Sequence, residues 1–377
     1  MNKLNQLKRA YLRWYVNTRG WRTNRQVLVL ESDDWGSIRT PSNDAIDRLS
    51  LKGYQTKDFP YLKYDTLESK QDLLDLYAVL ARHTDRNGNP AVITANTIIS
   101  NPDFAKLKAN GFSKYEYELF PETQKRYFGA SFLDTFKEGM DAGVFYPQLH
   151  GMHHVNIDRW MEKLRAGDQT ALDLFEEEMF DYSTSHTTID ENSFVDALTP
   201  KDGSDLAAQV DYLGVAAAHF EELFGFQSST FIAPCYIWLP EHERALKQLG
   251  VTGIQSGAYQ KHPRMGSVNV FKKEIHYTGE RNALGQVYTT RNGLFEPSLF
   301  ESEDVVAQAL ASIERAFENK KPAVLSTHRI NYVSGLRPEN KERTLALLDQ
   351  LLAEVRRRWP DIEFMHSAAL NKQLLEA

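Results

Sequence analysis

The sequence predicts an α/β fold, a (β/α) barrel of seven or eight strands, on three observations. Short β-rich runs recur along the chain and alternate with amphipathic helical patterns, which implies a parallel sheet. The runs show little polar alternation, as expected of strands buried on both faces. Nearly every run also opens apolar and closes polar. In a β/α barrel the strand C-termini and the loops after them converge on one mouth, whereas an open doubly wound sheet gathers ligands chiefly at its switch point. Polar closure of almost all the runs therefore favours the barrel.

The runs read, in order, "QVLVLESDD", "AVITANTII", "VFYPQLHGMHH", "STFIAPCYIW", "VTGIQSG", "QVYTTRNG", "PAVLSTHR" and "IEFMHS". Their polar ends are Asp33 and Asp34, Asn96, His150 and His154, Tyr236 and Trp238, Gln255 and Ser256, Arg291 and Asn292, Thr327, His328 and Arg329, and His366. Between them, Val306, Leu310, Ile313 and Phe317 share one helical face, and Leu345, Leu348, Leu352 and Val355 repeat the pattern. The connections over 50–90, 101–143 and 167–226 exceed a minimal crossover and predict added helices or mouth-side loops. Glycine-rich phosphate motifs, internal repeats and a linker of Pro, Gly and Ser are absent. The expected organisation is an N-terminal arm over 1–25 and one barrel domain over 26–377.

Composition narrows the function. The 377 residues are 42% hydrophobic and 25% charged, enough for a sizeable core. A net charge of -7 argues against a nucleic-acid partner, because phosphate binding draws on a basic surface. The single cysteine, Cys235, excludes an internal disulfide and suits a reducing compartment. No window is apolar enough to span a bilayer, and the N-terminus lacks the apolar middle of a secretory signal, so a cytoplasmic enzyme is expected. The arm carries Lys3, Lys8, Arg9, Arg13, Arg19, Arg22 and Arg25 with no acidic residue, interleaved with Leu4, Leu7, Tyr11, Leu12, Trp14 and Tyr15. Such a segment either makes peripheral contact with an anionic membrane or packs on the body with a solvated basic face.

Two features carry chemistry. Adjacent carboxylates at Asp33 and Asp34 repel unless a cation, a donor or a proton separates their roles; the bland alternative is that Ser32 or one Asp caps the turn. His150 and His154 stand four apart in "HGMHH". If that stretch is helical, both imidazoles share a face and can grip one cation, although polar strand ends also collect histidines that bind nothing. Two imidazoles plus a carboxylate leave an open position for water on a divalent metal.

At these residues the sequence resembles the polysaccharide deacetylases of carbohydrate esterase family 4. "ESDDWG" matches the family's strand-end Asp-Asp, "HGMHH" its His-x-x-x-His, "FIAPCYIW" its Arg-x-Pro segment and "VLSTH" its late Leu-x-x-His strand end. The order is kept from the first strand to the seventh. The resemblance implies a distorted barrel of the glycoside hydrolase and deacetylase type and a metal-dependent hydrolase of N-acetyl groups on a saccharide. It makes Asp34, His150 and His154 the ligands of a divalent ion, Zn²⁺ by preference, Asp33 the general base and His328 the general acid. The backbone N–H of Cys235 would help to bind the oxyanion. The chain departs from the family at Ile232, where an arginine orients the base, and at Cys235, where an aromatic is common. An Asp and Trp motif is not found in "GIQSGAYQ". Arg291 and Arg329 are candidates for the missing positive charge, or for binding substrate carboxylates or loop acids.

Trp35, Tyr236 and Trp238 are placed to stack on a sugar ring, with core packing as the competing role. Asn96 is a polar contact to substrate or a turn residue. Cys235 is a packing residue before it is a nucleophile, since nothing near it marks a lowered thiol pKa. Loop positions Glu296, His186 and Asp190 offer further polar groups, and Asp33 with Glu296 would make the acid and base pair of a glycosidase. Two other readings thus stand beside the deacetylase: a glycoside hydrolase whose histidines bind sugar, and a catalytically silent carbohydrate-binding relative.

Overall fold

A computed structural model describes residues 3–56, 58–182 and 189–377. After the N-terminal helix α1 (Lys3–Thr18) the strands are β1 (Gln26–Trp35), β2 (Ile93–Ile98), β3 (Ser100–Pro102), β4 (Tyr117–Leu119), β5 (Phe145–Gly151), β6 (Thr230–Ile232) and β7 (Gly253–Ser256). They continue with β8 (Tyr259–Pro263), β9 (Phe271–Ile275), β10 (Val287–Thr290), β11 (Gly293–Leu294), β12 (Ala323–His328) and β13 (Ile362–Met365). Nine of these form one curled parallel sheet in the order β10-β7-β6-β5-β2-β1-β12-β11, with β13 on the first half of β1. β3 with β4 and β8 with β9 make separate antiparallel pairs. All eight runs read from the sequence are strands of the large sheet.

The sheet curls because β10 and β11 act as the two halves of one bent strand. Val287–Thr290 pairs with β7, Gly293–Leu294 pairs with β12, and only Arg291 and Asn292 lie between. The Arg291 N–H donates to Ser256 O (2.9 Å) on the β7 side and the Asn292 N–H to Val324 O (3.0 Å) on the β12 side. A single bend thus carries the chain from one edge of the sheet to the other. Arg291 sits at the seam.

Period-two alternation sorts the strand residues into an interior and an exterior. On the outside, Leu28, Leu30, Ile93, Ala95, Phe145, Leu149, Ile254, Tyr288, Ala323 and Leu325 join the main core under the helices. At the lower end of the interior, Val27, Val29, Val287 and Val324 pack on Leu370 and Leu374 of the C-terminal helix Ser367–Glu376, which plugs the barrel. Further along the same interior faces the residues become polar: Glu31, Asp33, Asn96, Gln148, His150, Gln255, Arg291 and Ser326 are all buried, and His328 ends the β12 face at the mouth. An apolar floor supports a polar upper layer.

The crossovers carry the predicted helices. Val305–Glu318 buries Val306, Leu310 and Ile313, and Pro338–Arg358 buries Leu345, Leu348, Leu352 and Val355. The long connections hold Lys70–Ala81, Phe120–Phe128, Leu133–Asp141 and the 22-residue Gly203–Phe224, among others. His366 is not at the mouth. Because β13 pairs only Gln26–Val29 of β1, its end lies at mid-barrel, and the His366 ring stacks on Tyr146 at 3.6 Å.

Candidate metal centre

Adjacent residues of a strand face opposite sides, so Asp33 and Asp34 can share a site only if the strand is broken between them. It is. The register of β1 against β2 shifts between Ser32 and Trp35, and Asp34 takes a left-handed φ of 75°, the signature of a bulge. Aspartate tolerates that region better than most residues. The turn continues through Gly36 (φ 79°), where a Cβ would meet Ile98 O at 2.5 Å. Only glycine fits there.

The bulge aims both carboxylates at a cavity of about 260 Å³ that is also lined by His150, His154, Cys235, Tyr236, Glu296 and His328. His150 ends β5. The stretch after it, residues 152–156, is not helical, so the two histidines do not meet by helical spacing. Instead Gly151 (φ 120°) turns the chain, and the loop is tied down by the Ser100 N–H to Met152 O (2.7 Å) and the Asn156 N–H to Phe194 O (2.6 Å), which brings His154 back over the strand end. His150 Nε2 lies 3.3 Å and His154 Nε2 3.4 Å from the same Asp34 Oδ1. The three donor atoms lie within 4.8 Å of one another and all three side chains are buried.

This donor set fits a divalent cation. His150 donates its Nδ1–H to Ile232 O (2.8 Å), which in the neutral ring leaves Nε2 with a lone pair aimed at a carboxylate oxygen. A backbone acceptor behind a ligating imidazole is the usual means of fixing its tautomer. Burial lowers the His154 pKa to about 3, against the opposing pull of Asp34, so the His154 ring is a neutral donor at pH 7. Burial also works against the Asp34 carboxylate, but His154, His150, His328 and Arg39 outweigh it and hold its pKa well below the ordinary range.

Asp33 faces a different set of partners. Arg291 Nη1 donates to its Oδ2 (2.7 Å) and Nη2 to its Oδ1 (2.6 Å), a bidentate clamp, and Asn96 Nδ2 adds a third bond to Oδ1 (2.7 Å). Arg291 Nε is held by Glu31 (2.7 Å), which also accepts from Ser367 Oγ (2.8 Å). Burial raises the Asp33 pKa, but Arg291 and then His328 and His150 more than reverse this, so Asp33 is ionised. Its register partner across β1 and β12 is His328, whose Nε2 lies 3.7 Å from Asp33 Oδ2. Behind His328, Nδ1 bonds Glu296 Oε1 (2.5 Å), and Asn331 Nδ2 donates to the other Glu296 oxygen (2.8 Å). Burial opposes the imidazolium, yet Glu296, with Asp33 and Asp34, raises the His328 pKa to about 9.

Several expected substrate contacts are elsewhere. Trp35 is fully buried, its Nε1–H on Ser32 Oγ (3.0 Å) and its ring stacked on Tyr332 and edge-on to Phe145. The bulge that points the aspartates inward turns Trp35 out into the helix layer. Trp238 is likewise core, its indole N–H on Glu243 (2.8 Å). Asn96 touches Asp33 and Gln255, not solvent. Arg291 is buried on Asp33 and Glu31, and Arg329 is fully buried on Asp65 (2.7 Å), Glu68 (3.3 Å) and Ser37 O. Neither arginine is among the residues that line the cavity.

Tyr236 and Cys235 do line the cavity, on a turn with φ of 58° and 57°. Tyr236 Oη accepts from Arg291 (2.9 Å), and burial pushes the Cys235 thiol up to about 12, which fits packing and not nucleophilic attack. Glu296 is not a solvated loop acid but the buried partner of His328. Asp190 N-caps a turn through Asn192 N (2.9 Å), and His186 lies outside the described residues.

Sequence reasoning missed Arg39, Tyr61 and Lys261. Arg39 lies 3.9 Å from Asp34 Oδ2, between Asp65 and Asp181, and stacks over Tyr61 at 4.4 Å. It comes from the loop after β1, where a single arginine carries no pattern. Glu31 was readable, two residues before Asp33 on the same strand face.

No family model and no curated protein matches the chain. Among solved structures it is similar to a provisionally named polysaccharide deacetylase from Mycobacterium smegmatis, at 11% identity and a TM-score of 0.42, over 95% of this chain and 93% of that one. A second provisionally named polysaccharide deacetylase, from Pseudomonas aeruginosa PAO1, aligns at 10% identity and a TM-score of 0.44, over 93% and 91%. A pseudoenzyme of carbohydrate esterase family 4 from Bacillus anthracis aligns at 10% identity and a TM-score of 0.38, over 92% and 66%. These are likenesses of overall fold.

Proposed function

We propose that the chain is a divalent-metal-dependent hydrolase of the polysaccharide deacetylase kind, cleaving the carbon–nitrogen bond of an N-acetyl group on a saccharide. The observation that carries this reading is the convergence of Asp34, His150 and His154 on one point, beside an ionised Asp33 and a protonated His328. A Zn²⁺ ion held by those three ligands would supply Lewis-acid polarisation of the acetyl carbonyl and a water of lowered pKa.

The chain's own residues supply the rest. Asp33, pinned by Arg291 and Asn96, keeps its Oδ2 turned to the His328 side of the cavity and takes a proton from the attacking water. His328, held in its charged form by Glu296, gives its Nε2 proton to the leaving amine as the carbon–nitrogen bond breaks, yielding acetate and a free amino sugar. Cys235 lines the cavity, and its backbone N–H takes the oxyanion role that the resemblance implies. The role that the resemblance gives to an arginine at position 232 passes to Arg291 from the barrel seam. Ile232 contributes only its carbonyl, which orients His150.

Metal analysis of the purified protein, followed by acetate release from acetylated saccharides with and without chelator, tests the proposal. Stoichiometric metal with chelator-sensitive acetate release supports it. Reducing ends released without metal dependence, or saccharide binding with no turnover, overturn it.

A further inference from the structure

Among the described residues, the N-terminal helix α1 is attached to the barrel by its last turns. Val16 and Asn17 are buried, Asn292 Nδ2 donates to Asn17 Oδ1 (3.2 Å), and the Tyr15 ring packs on Tyr277 (6.0 Å). Lys321 Nζ then ties down the chain beyond the helix at Trp21 O (2.5 Å). Upstream, Leu7 is 68% exposed and Tyr11 and Trp14 are each 53% exposed. Steps of four and three place these on one helix face, which stays more than half exposed although Trp14 borders a shallow pocket with Arg315 and Asn319 of the body. Lys8, Arg13, Arg19 and Arg22 are exposed around it. The charge is segregated: residues 1–25 hold seven basic and no acidic side chains, so in a chain of net charge -7 the remainder carries -14.

We propose that this face of α1 docks on an anionic lipid surface. An exposed stripe of one leucine and two amphipathic aromatics, flanked by basic side chains, matches what lies in a bilayer interface, with rings at headgroup depth and cations on phosphates. A second copy of the chain is a poorer occupant, because the barrel's acidic excess would attract the arm wherever it fell and would not select an apolar stripe. The chain beyond the helix is held at Lys320 and Lys321, just before the start of β12, so the arm joins the barrel at the end opposite the mouth. Docking therefore leaves the mouth open to solvent.

The test is sedimentation of the full chain with vesicles of phosphatidylserine and phosphatidylcholine, against phosphatidylcholine alone. The expected result is binding to the anionic vesicles only, lost at high salt. Lys8→Glu with Arg13→Glu lowers partitioning by at least about a hundredfold. Leu7→Ala and Trp14→Ala each lower it by about tenfold. All four side chains are exposed, so an unchanged thermal transition confirms folding in each variant. Equal binding to neutral vesicles, no binding, or binding unaffected by these substitutions overturns the proposal. So does light scattering that shows a dimer abolished by Trp14→Ala in a chain that ignores vesicles.

Discussion

Arg291 and Asp33 are 258 residues apart and meet through two parallel hydrogen bonds of 2.7 and 2.6 Å, with Glu31 bracing the guanidinium from its Nε side. The pair exists because the strand that closes the barrel bends at Arg291 and delivers its side chain to the interior beside the bulge of β1. A planar fork on a carboxylate fixes orientation as well as charge, which a lysine cannot reproduce.

Arg291→Lys is therefore expected to keep the metal and the fold while lowering turnover about a hundredfold, since a small misplacement of a proton acceptor costs that much. Steady-state kinetics beside metal analysis separates the two effects. Arg291→Met is expected to be worse, destabilising the protein by about 3–5 kcal/mol in urea unfolding, because Glu31 and Asp33 are left buried without their cation.

The His328–Glu296 pair sets a pH dependence. Its imidazole is raised from 6.5 to about 9, so its contribution to stability is fully present below about pH 6.5 and is lost as pH rises through 9. Thermal unfolding of the metal-free chain should show that decline, and Glu296→Gln should flatten it. In turnover, the same substitution lowers the His328 pKa and moves the alkaline limb of kcat/KM to lower pH.

Trp35 tests the packing role against the sugar-stacking one. Trp35→Ala is expected to cost about 3–5 kcal/mol in urea unfolding, as a large aromatic removed from a filled core does. Trp35→Phe is expected to fold with KM unchanged. A raised KM with full stability would place the ring at the substrate after all.

Much of this was legible in the sequence. The strands announced themselves because buried parallel strands are apolar along their length, and Asp33, Asp34, His150, His154 and His328 because polar residues closing such runs have no packing reason to be there. What the sequence hid was direction. Nothing in "LESDDWG" marks the bulge at Asp34, since aspartate enters the left-handed region without a glycine to signal it, and the sequence leaves Trp35 open between sugar stacking and the core. The histidine pair converges through a glycine turn and two loop anchors, not through helical spacing. Arg291 looked like one more polar strand end, because its partner is chosen by how the barrel closes, a contact between strands far apart in the chain. Arg329 and Trp238 carried the same polar or aromatic signal and fell outside the cavity for want of that register.

Asp34, His150 and His154 are proposed to hold one divalent ion. Equilibrium dialysis against Zn²⁺ tests it most directly. One ion per chain is expected for the native protein and for Asp33→Asn, which should also lose about 10²–10⁴ in turnover as a missing proton acceptor does, and none for Asp34→Ala. Zinc retained in full by Asp34→Ala, or absent from the native chain, would rule out this ligand set.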